Sequence, residues 1–78
     1  MKTKLSKPLR RDELRPDGVT IQVDWDKFVV GSSLFVPCID TINCREQVLE
    51  ITRRKGFRME WRHRIENNKW GIRFWRVL

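Results

Sequence analysis

Cysteine and histidine are scarce in this chain of 78 residues, which has two cysteines and a single histidine. A structural zinc site takes four ligands, usually in closely spaced pairs, whereas Cys38, Cys44 and His63 supply at most three. We therefore expect no bound metal. The basic character of the chain, which suits an intracellular protein, also argues against a disulfide between the two cysteines.

Long apolar runs and catalytic groupings are missing as well. No apolar run approaches the roughly 20 residues of a membrane span, and the basic start of the chain lacks the apolar stretch of a secretory signal. The sequence contains no glycine-rich phosphate loop, no Ser-His-acid set and no converging pair of carboxylates. A single domain of this size also has too small a core for a deep catalytic cleft. These absences predict a cytoplasmic protein that is not an enzyme and uses no cofactor.

Positive charge is abundant and concentrated at the two ends of the chain. The net charge is +7, to which residues 1–18 contribute +3, residues 19–44 contribute −2 and residues 45–78 contribute +6. Charge concentrated in this way commonly serves binding to nucleic acid or to an anionic membrane. The alternative is that the charge only keeps the protein in solution.

Residues 1–18 have the pattern of a flexible basic arm, followed by a single domain at residues 19–78. The arm has dense charges, it is interrupted by two prolines and a glycine, and its leucines are too sparse to bury much apolar surface. These residues are Pro8, Pro16, Gly18, Leu5, Leu9 and Leu14.

Two strands are predicted before the helix. Residues 19–25 alternate apolar and polar side chains, which is typical of a strand with one apolar side. The turn that follows, at residues 24–28, is expected to point Trp25 and Phe28 inward. A second strand is predicted at residues 33–36, and Pro37 either ends it or confines it to a sheet edge, because proline has no amide donor.

One helix is predicted at residues 44–55. Asn43 can cap its start, and Glu46 stands in the capping-box position. An apolar stripe then recurs at helical spacing, formed by Cys44, Val48 and Ile51 and widened by Leu49. Gly56 is the residue type expected just past a helix end. The basic last turn, Arg53, Arg54 and Lys55, either compensates the helix dipole or contacts phosphate.

A hairpin is predicted from the last 22 residues, which hold five of the eight aromatic residues. Residues 57–65 alternate apolar and charged side chains, Asn67 and Asn68 suit a two-residue turn, and residues 70–77 form the return strand. In this register Trp61 lies opposite Phe74, and Arg62 lies opposite Arg73. A shift by one residue would mix apolar side chains into the charged face.

The apolar face of the hairpin is expected to lie under the helix. It comprises Phe57, Trp61, Ile65, Ile72 and Phe74, with His63 as a core histidine and with Trp25 and Trp70 also in the core. The element order is then β-β-α-β-β. This predicts a small two-layer α+β domain, with an antiparallel sheet and one helix packed on one face.

The opposite, arginine-rich face is expected to be open to solvent. Like charges directly across a sheet are destabilising, so the pair Arg62 and Arg73 suggests that an anion normally lies over them. Trp75 lies on the same face, where its ring can stack on a base, be covered by neighbouring arginines or pack on the amino-terminal strand. We expect a nucleic-acid site formed by Arg58, Arg62, Arg64, Arg73 and Trp75, with Arg53, Arg54 and Lys55.

Two stretches of sequence resemble a known group of proteins. VGSSLFVPC at residues 30–38 and GIRFWRV at residues 71–77, within residues 24–77, are similar to small uncharacterised proteins encoded by tailed bacteriophages. The resemblance implies no catalytic residue and no cofactor. It does imply a regulator or accessory factor that acts in the cytoplasm of a bacterial host.

Two functions from different classes follow. The first is a nucleic-acid-binding module for DNA or RNA that uses the arginine-rich face. The second is a protein-interaction factor whose basic face docks on an acidic host protein, for example transcription or nuclease machinery. Exposed edge strands can in addition pair two copies of the chain as a homodimer.

Overall fold

The computed structural model describes residues 13–78. The regular elements are strand β1 (Ser33–Pro37), helix α1 (Thr41–Arg54), strand β2 (Met59–Glu66) and strand β3 (Lys69–Arg76). The strands form one antiparallel sheet in the order β1-β3-β2, so the last strand of the chain lies in the centre. The predicted α+β class is confirmed, with the order β-α-β-β in place of β-β-α-β-β.

The strand predicted at residues 19–25 does not form in the described part of the chain. Ile21 instead exchanges two backbone hydrogen bonds with Leu14, at 2.7 and 2.9 Å. Because its backbone is paired with the preceding segment, Ile21 does not extend the sheet. The turn that follows behaves as predicted, since Trp25 and Phe28 are both buried, with ring centroids 5.5 Å apart in an edge-to-face contact.

The end of the predicted arm belongs to the core. Residues 1–12 lie outside the described residues, but Leu14 is only 1% exposed. The prediction that this leucine buries little surface is wrong, because the segment around it folds back on α1. Gln47 of α1 fixes the contact, accepting from the Arg15 amide at 2.6 Å and donating to the Arg15 carbonyl at 3.1 Å.

Helix α1 begins three residues before the predicted start. Asp40 is the N-cap, and its carboxylate accepts a hydrogen bond from the Asn43 amide at 3.1 Å, so the predicted cap at Asn43 is wrong. The carboxylate of Asp17 accepts from the amides of Ile39 and Asp40, at 2.7 and 3.0 Å. A capping aspartate and a second, distant aspartate therefore fix the start of the helix together.

The end of α1 follows the prediction. Gly56 has a φ of 78°, its amide donates to the Arg53 carbonyl at 3.1 Å, and the Phe57 amide donates to the Thr52 carbonyl at 2.9 Å. These two bonds form a Schellman motif. Thr52 is also buried. Its hydroxyl donates to the Val48 carbonyl at 2.9 Å, so the buried oxygen has a hydrogen-bond partner.

The core lies between α1 and one face of the sheet. The predicted helix stripe is buried, and the centre of β3 contributes Ile72 and Phe74, both at 0% exposure. The remaining core residues come from every part of the described chain: Leu14, Trp25, Phe28, Val36, Cys38, Cys44, Val48, Ile51 and Met59. Within residues 13–78, no helix has the length and apolar character that crossing a membrane requires.

The hairpin has the predicted register. Asn67 and Asn68 form its turn with φ values of 52° and 62°, the left-handed conformation that a tight hairpin turn of this type requires. Trp61 pairs with Phe74, and Arg62 pairs with Arg73. The alternation of side chains therefore assigns every hairpin residue to one of two faces.

Candidate nucleic-acid interface

Strand β2 lies at one edge of the sheet and is poorly covered. Its first residue, Met59, is buried, but residues 60–65 are all exposed, on both faces. The neighbouring strand β3 buries Gly71, Ile72 and Phe74. Among the three strands, helix α1 contacts β3 most, so it leaves most of β2, the turn and the start of β3 uncovered. We call this exposed segment, residues 60–70, the outer hairpin.

Several residues that were predicted to be buried lie on the helix side of the outer hairpin. Trp61 is 37% exposed, Trp70 is 47% exposed and Ile65 is 69% exposed. The prediction that they belong to the core is wrong. Their spacing correctly places them on the helix side of the sheet, but α1 does not extend far enough over β2 to cover them.

His63 shares this exposed side and is not a core histidine. Its ring stacks on the Trp70 ring, with centroids 5.5 Å apart and an angle of 19° between the planes. The guanidinium of Arg45, which projects from α1, lies 5.8 Å from the centre of the Trp61 ring. We call Trp61, His63, Ile65 and Trp70 the aromatic face of the outer hairpin.

The face opposite the helix has the predicted arginines. Direct pairing across the three strands gives one row of Phe35, Arg73 and Arg62 and a second row of Ser33, Trp75 and Glu60. A third row contains Pro37, Gly71 and Arg64. Arg62, Arg64 and Arg73 therefore share one face, which we call the arginine face.

Arg73 has an anionic partner within the chain. Its Nε and one terminal nitrogen each donate to a different carboxylate oxygen of Glu66, both at 2.6 Å. These hydrogen bonds hold the pKa of Glu66 below its ordinary value and raise the pKa of Arg73. Alternation along β2 places Glu66 on the same face as Arg62 and Arg64, but it does not indicate which arginine of that face binds the carboxylate.

The contact with Glu66 corrects the prediction that an external anion covers both opposing arginines. Arg73 is neutralised internally, and its other terminal nitrogen donates to the Ser33 hydroxyl at 2.6 Å. Arg62, directly opposite, has no ion pair among the described residues. Arg64 lies between these two cases, with its Nε 3.3 Å from Glu66 and its side chain 50% exposed.

Gly71 makes the inner part of this face possible. A Cβ atom at this position would come within 2.2 Å of the Val36 carbonyl oxygen and 2.9 Å of the Phe35 ring. The absence of a side chain lets β1 approach β3 closely and leaves room for Arg73 to extend toward Glu66. The Arg73 guanidinium also lies over the Phe35 ring, 5.9 Å from its centre.

The other predicted site residues divide into two groups. Trp75 is partly buried on the arginine face, and together with Met59, Glu60, Trp61 and Arg62 it lines a shallow groove of about 440 Å³ along β2. Arg58 is exposed immediately before β2. Arg53 and Arg54 are exposed and Lys55 is half-buried at the end of α1, near the base of the hairpin rather than on its outer part.

The two cysteines lie in the interior, away from the arginine face. Both are buried, and burial is the main reason why the pKa of each thiol is raised. The hydrogen bond between the two thiols raises the pKa of Cys44 further. Neither thiol is therefore activated as a nucleophile. Across residues 13–78, no group of three or more histidine, cysteine or carboxylate side chains is arranged to hold a metal ion.

Comparison with known proteins adds no relative to these observations. No family model, no curated protein and no solved structure matches the chain. The similarity of residues 24–77 to proteins of tailed bacteriophages therefore stays a prediction. The assignment of function rests on the charge, exposure and geometry of the outer hairpin.

Proposed function

We propose that this protein is a non-enzymatic nucleic-acid-binding module that uses the arginine face of the outer hairpin. The observation that supports this most directly is the exposure of Arg62 on an edge strand with no acidic partner among the described residues. An exposed guanidinium keeps its full charge available, and its planar fork of N–H donors can bind two oxygens of a phosphate at once.

The shape of the outer hairpin suits this role. Strand β2, the turn and the first two residues of β3 are exposed, and a two-stranded ribbon can enter the major groove of DNA, which is about 12 Å wide. Arg62 and Arg64 would then face one wall of the groove, and Lys69 beside the turn is also exposed. Contacts of this type fix the position of the protein on the duplex without reading its sequence.

Aromatic side chains add a second kind of contact. Trp75 lines the groove beside Arg62, where part of its ring remains accessible. Stacking of a base on an aromatic ring contributes roughly 1–3 kcal/mol in proteins that bind single strands. Unpaired DNA or RNA is therefore a candidate ligand alongside duplex DNA.

The experiment is a fluorescence anisotropy titration with single- and double-stranded DNA and RNA at two salt concentrations. Arg62→Ala should weaken binding several-fold and reduce the slope of log affinity against log salt by about one phosphate contact. Lys27→Ala is the matched control, because it removes one exposed charge from the turn Trp25–Lys27, outside the hairpin. Equal losses in the two variants would show that only net charge matters, and absence of binding at low salt would exclude the proposal.

A second candidate function is supported by the aromatic face. Arginine and aromatic residues together are typical of the central part of protein interfaces, and Trp61 and Trp70 lie exposed on the other face of the same hairpin from Arg62 and Arg64. A phage factor with this surface would bind and modulate an acidic protein in the host cytoplasm. A pulldown in which capture of one acidic protein is lost both with Arg62→Ala and with Trp70→Ala, together with no binding of nucleic acid, would favour this function.

A further inference from the structure

We propose that two copies of this protein pair through the outer edges of β2, antiparallel, with Arg62 opposite Arg62 of the second copy. The result would be one sheet of six strands, in the order β1-β3-β2 from one copy continued by β2-β3-β1 from the other. Among the described residues, β2 is paired on one side only, with β3. The pairing does not require nucleic acid and keeps the arginine face open, but a paired β2 could not enter the major groove as a two-stranded ribbon.

The direction of the backbone groups of β2 follows from the pairing of the central strand. The Trp70 carbonyl accepts from the Cys38 amide at 3.0 Å, and Arg76 bonds Gly31 and Ser32 through both of its backbone groups. Even-numbered residues of β3 therefore bond β1. In an antiparallel ladder the bonding side alternates from residue to residue, so the odd-numbered residues of β3 bond β2.

The outer edge of β2 is defined by this alternation. The partners of the odd-numbered residues of β3 are the even-numbered residues of β2, among them Arg62 opposite Arg73. The amides and carbonyls of Trp61, His63 and Ile65 consequently point away from the sheet. They form a row of donors and acceptors at the spacing that another antiparallel strand requires.

Only some registers keep both faces of the sheet continuous. Residues directly opposite each other in a sheet point to the same side, so even-numbered residues of one β2 must lie opposite even-numbered residues of the other. The two-fold axis therefore lies midway between two copies of the same residue, and not between two successive residues. Pairing centred on Arg62 places Glu60 opposite Arg64 of the second copy and Arg58 opposite Glu66 of the second copy. By symmetry this gives four contacts between opposite charges, two of them at Glu66, which Arg73 also binds, with Arg62 facing itself at the axis as the single like-charge pair.

Neighbouring registers are disfavoured by charge. With the axis at His63, Glu60 would face Glu66 and Arg62 would face Arg64, so every charged pair would be repulsive. With the axis at Trp61, the attraction between Glu60 and Arg62 would be offset by the repulsion between Arg58 and Arg64. The charge sequence of β2 thus complements itself best in the Arg62-centred register, which identifies a second copy of the chain as the occupant of this edge.

The same register covers the exposed apolar side chains. Trp61 would lie opposite His63 of the second copy, and Met59 would lie opposite Ile65 of the second copy. Ile65, at 69% exposure, would gain an apolar neighbour that it lacks in a single chain.

The two helices leave room for this arrangement. Among the three strands, helix α1 contacts β3 most, and three strand spacings of about 4.8 Å separate β3 from β3 of the second copy. The helix axes would therefore be at least about 14 Å apart, which exceeds the roughly 8–10 Å of packed helices. The aromatic faces of both copies would lie in the space between the helices.

Cysteine cross-linking of the folded protein tests both the pairing and its register. Opposing Arg62 positions form a pair without direct backbone hydrogen bonds, with Cα atoms about 4.5 Å apart, which a disulfide can bridge. With oxidised glutathione and no nucleic acid, R62C should form covalent dimers in a concentration-dependent way. Glu60→Cys alone should not, because four residues of strand separate the two copies of this position by about 14 Å. An equal mixture of Glu60→Cys and Arg64→Cys should form the mixed dimer.

Sedimentation equilibrium on chains without added cysteines provides the second measurement. The parent should show a monomer–dimer equilibrium, R64E should weaken dimerisation by about tenfold or more, and adding E60R to it should restore the affinity. The parent, whose two cysteines are buried, serves as the cross-linking control. A strictly monomeric parent with no R62C cross-link would overturn the pairing. Cross-linking of E60C as fast as R62C would overturn the register.

Discussion

Strands β2 and β3 have the same length and alternate in the same way, but they have opposite environments. Each has eight residues, and each residue of one pairs with a residue of the other. Nevertheless, β3 supplies two of the most completely buried side chains of the described chain, whereas most of β2 is exposed on both faces. The difference shows that alternation determines register and face. It does not determine coverage, which depends on where α1 packs.

The same contrast appears within a single pair on the arginine face. Arg62 of β2 and Arg73 of β3 lie directly opposite each other. Arg73 contacts Glu66, Ser33 and Phe35, whereas Arg62 has no ion pair among the described residues. One arginine thus contributes to the structure, and the other is available to an external partner.

The largest effect is expected from substitutions at the directly opposed aromatic pair. Phe74→Ala should lower the free energy of unfolding by about 3–5 kcal/mol, because it empties a site at 0% exposure. Trp61→Ala should cost only about 1–2 kcal/mol, through loss of a cross-strand pair and of the contact with Arg45. Urea denaturation of both variants measures the difference. Equal costs would mean that α1 covers β2 after all.

A second contrast concerns two aliphatic residues whose predicted environments are reversed. Leu14 was assigned to the flexible arm and is buried, whereas Ile65 was assigned to the core and is 69% exposed. Leu14→Ala should therefore cost about 2–4 kcal/mol and Ile65→Ala less than about 1 kcal/mol. Thermal unfolding of both variants measures which substitution costs more. A low protein concentration is used so that association of two copies does not bury Ile65. A smaller cost at Leu14 than at Ile65 would place residues 13–18 outside the domain.

The sequence was sufficient where the determining signals are local. Asn67 and Asn68 specify the turn, and with the alternation of residues 57–65 they gave the register pair by pair. Gly56 marked the end of α1 because only its positive φ closes the Schellman motif without strain. These features depend on residues a few positions apart, so they are visible in a single sequence.

Features that depend on distant parts of the chain were not predictable in this way. The burial of Leu14 depends on hydrogen bonds between Arg15 and Gln47, 32 residues apart. Asp17 fixes the start of α1 from 23 residues away, through the Asp40 amide. The exposure of Trp61 depends on the lateral position of α1, which no periodicity encodes. For the candidate site, the arginine face was predictable from alternation. That Arg73 binds Glu66, whereas Arg62 has no ion pair among the described residues, was not predictable.

A smaller effect is expected from the Arg73 ion pair. Arg73→Ala should destabilise the fold by a small but measurable amount, since it removes a bidentate ion pair whose two side chains are 25% and 20% exposed. Because the pKa of Glu66 is lowered from 4.5 in the folded protein, the pair stabilises the fold fully above that pH. The stabilisation is lost as the pH falls through the lowered value.

Glu66→Gln is the matched variant for this pH dependence. Unfolding measured from pH 7 down to pH 3 should show the parent more stable than Glu66→Gln at neutral pH, with the gap closing below pH 4.5. A gap that stayed constant over this range would mean that the carboxylate gains no stability from Arg73.

The smallest effect on stability is expected at Arg62, although the effect on binding should be the clearest. Arg62→Ala removes a like-charge neighbour of Arg73 and breaks no ion pair in the described chain, so the free energy of unfolding should stay within about 0.5 kcal/mol or rise slightly. Arg73→Ala should show the opposite balance, with a measurable loss of stability and, because Glu66 already neutralises Arg73, a smaller change in the salt slope of binding. Parallel urea denaturation and anisotropy titrations of the two variants compare stability with affinity directly. If Arg62→Ala instead destabilised the protein as much as Arg73→Ala, Arg62 would have a structural partner, and its availability to phosphate could no longer support nucleic-acid binding.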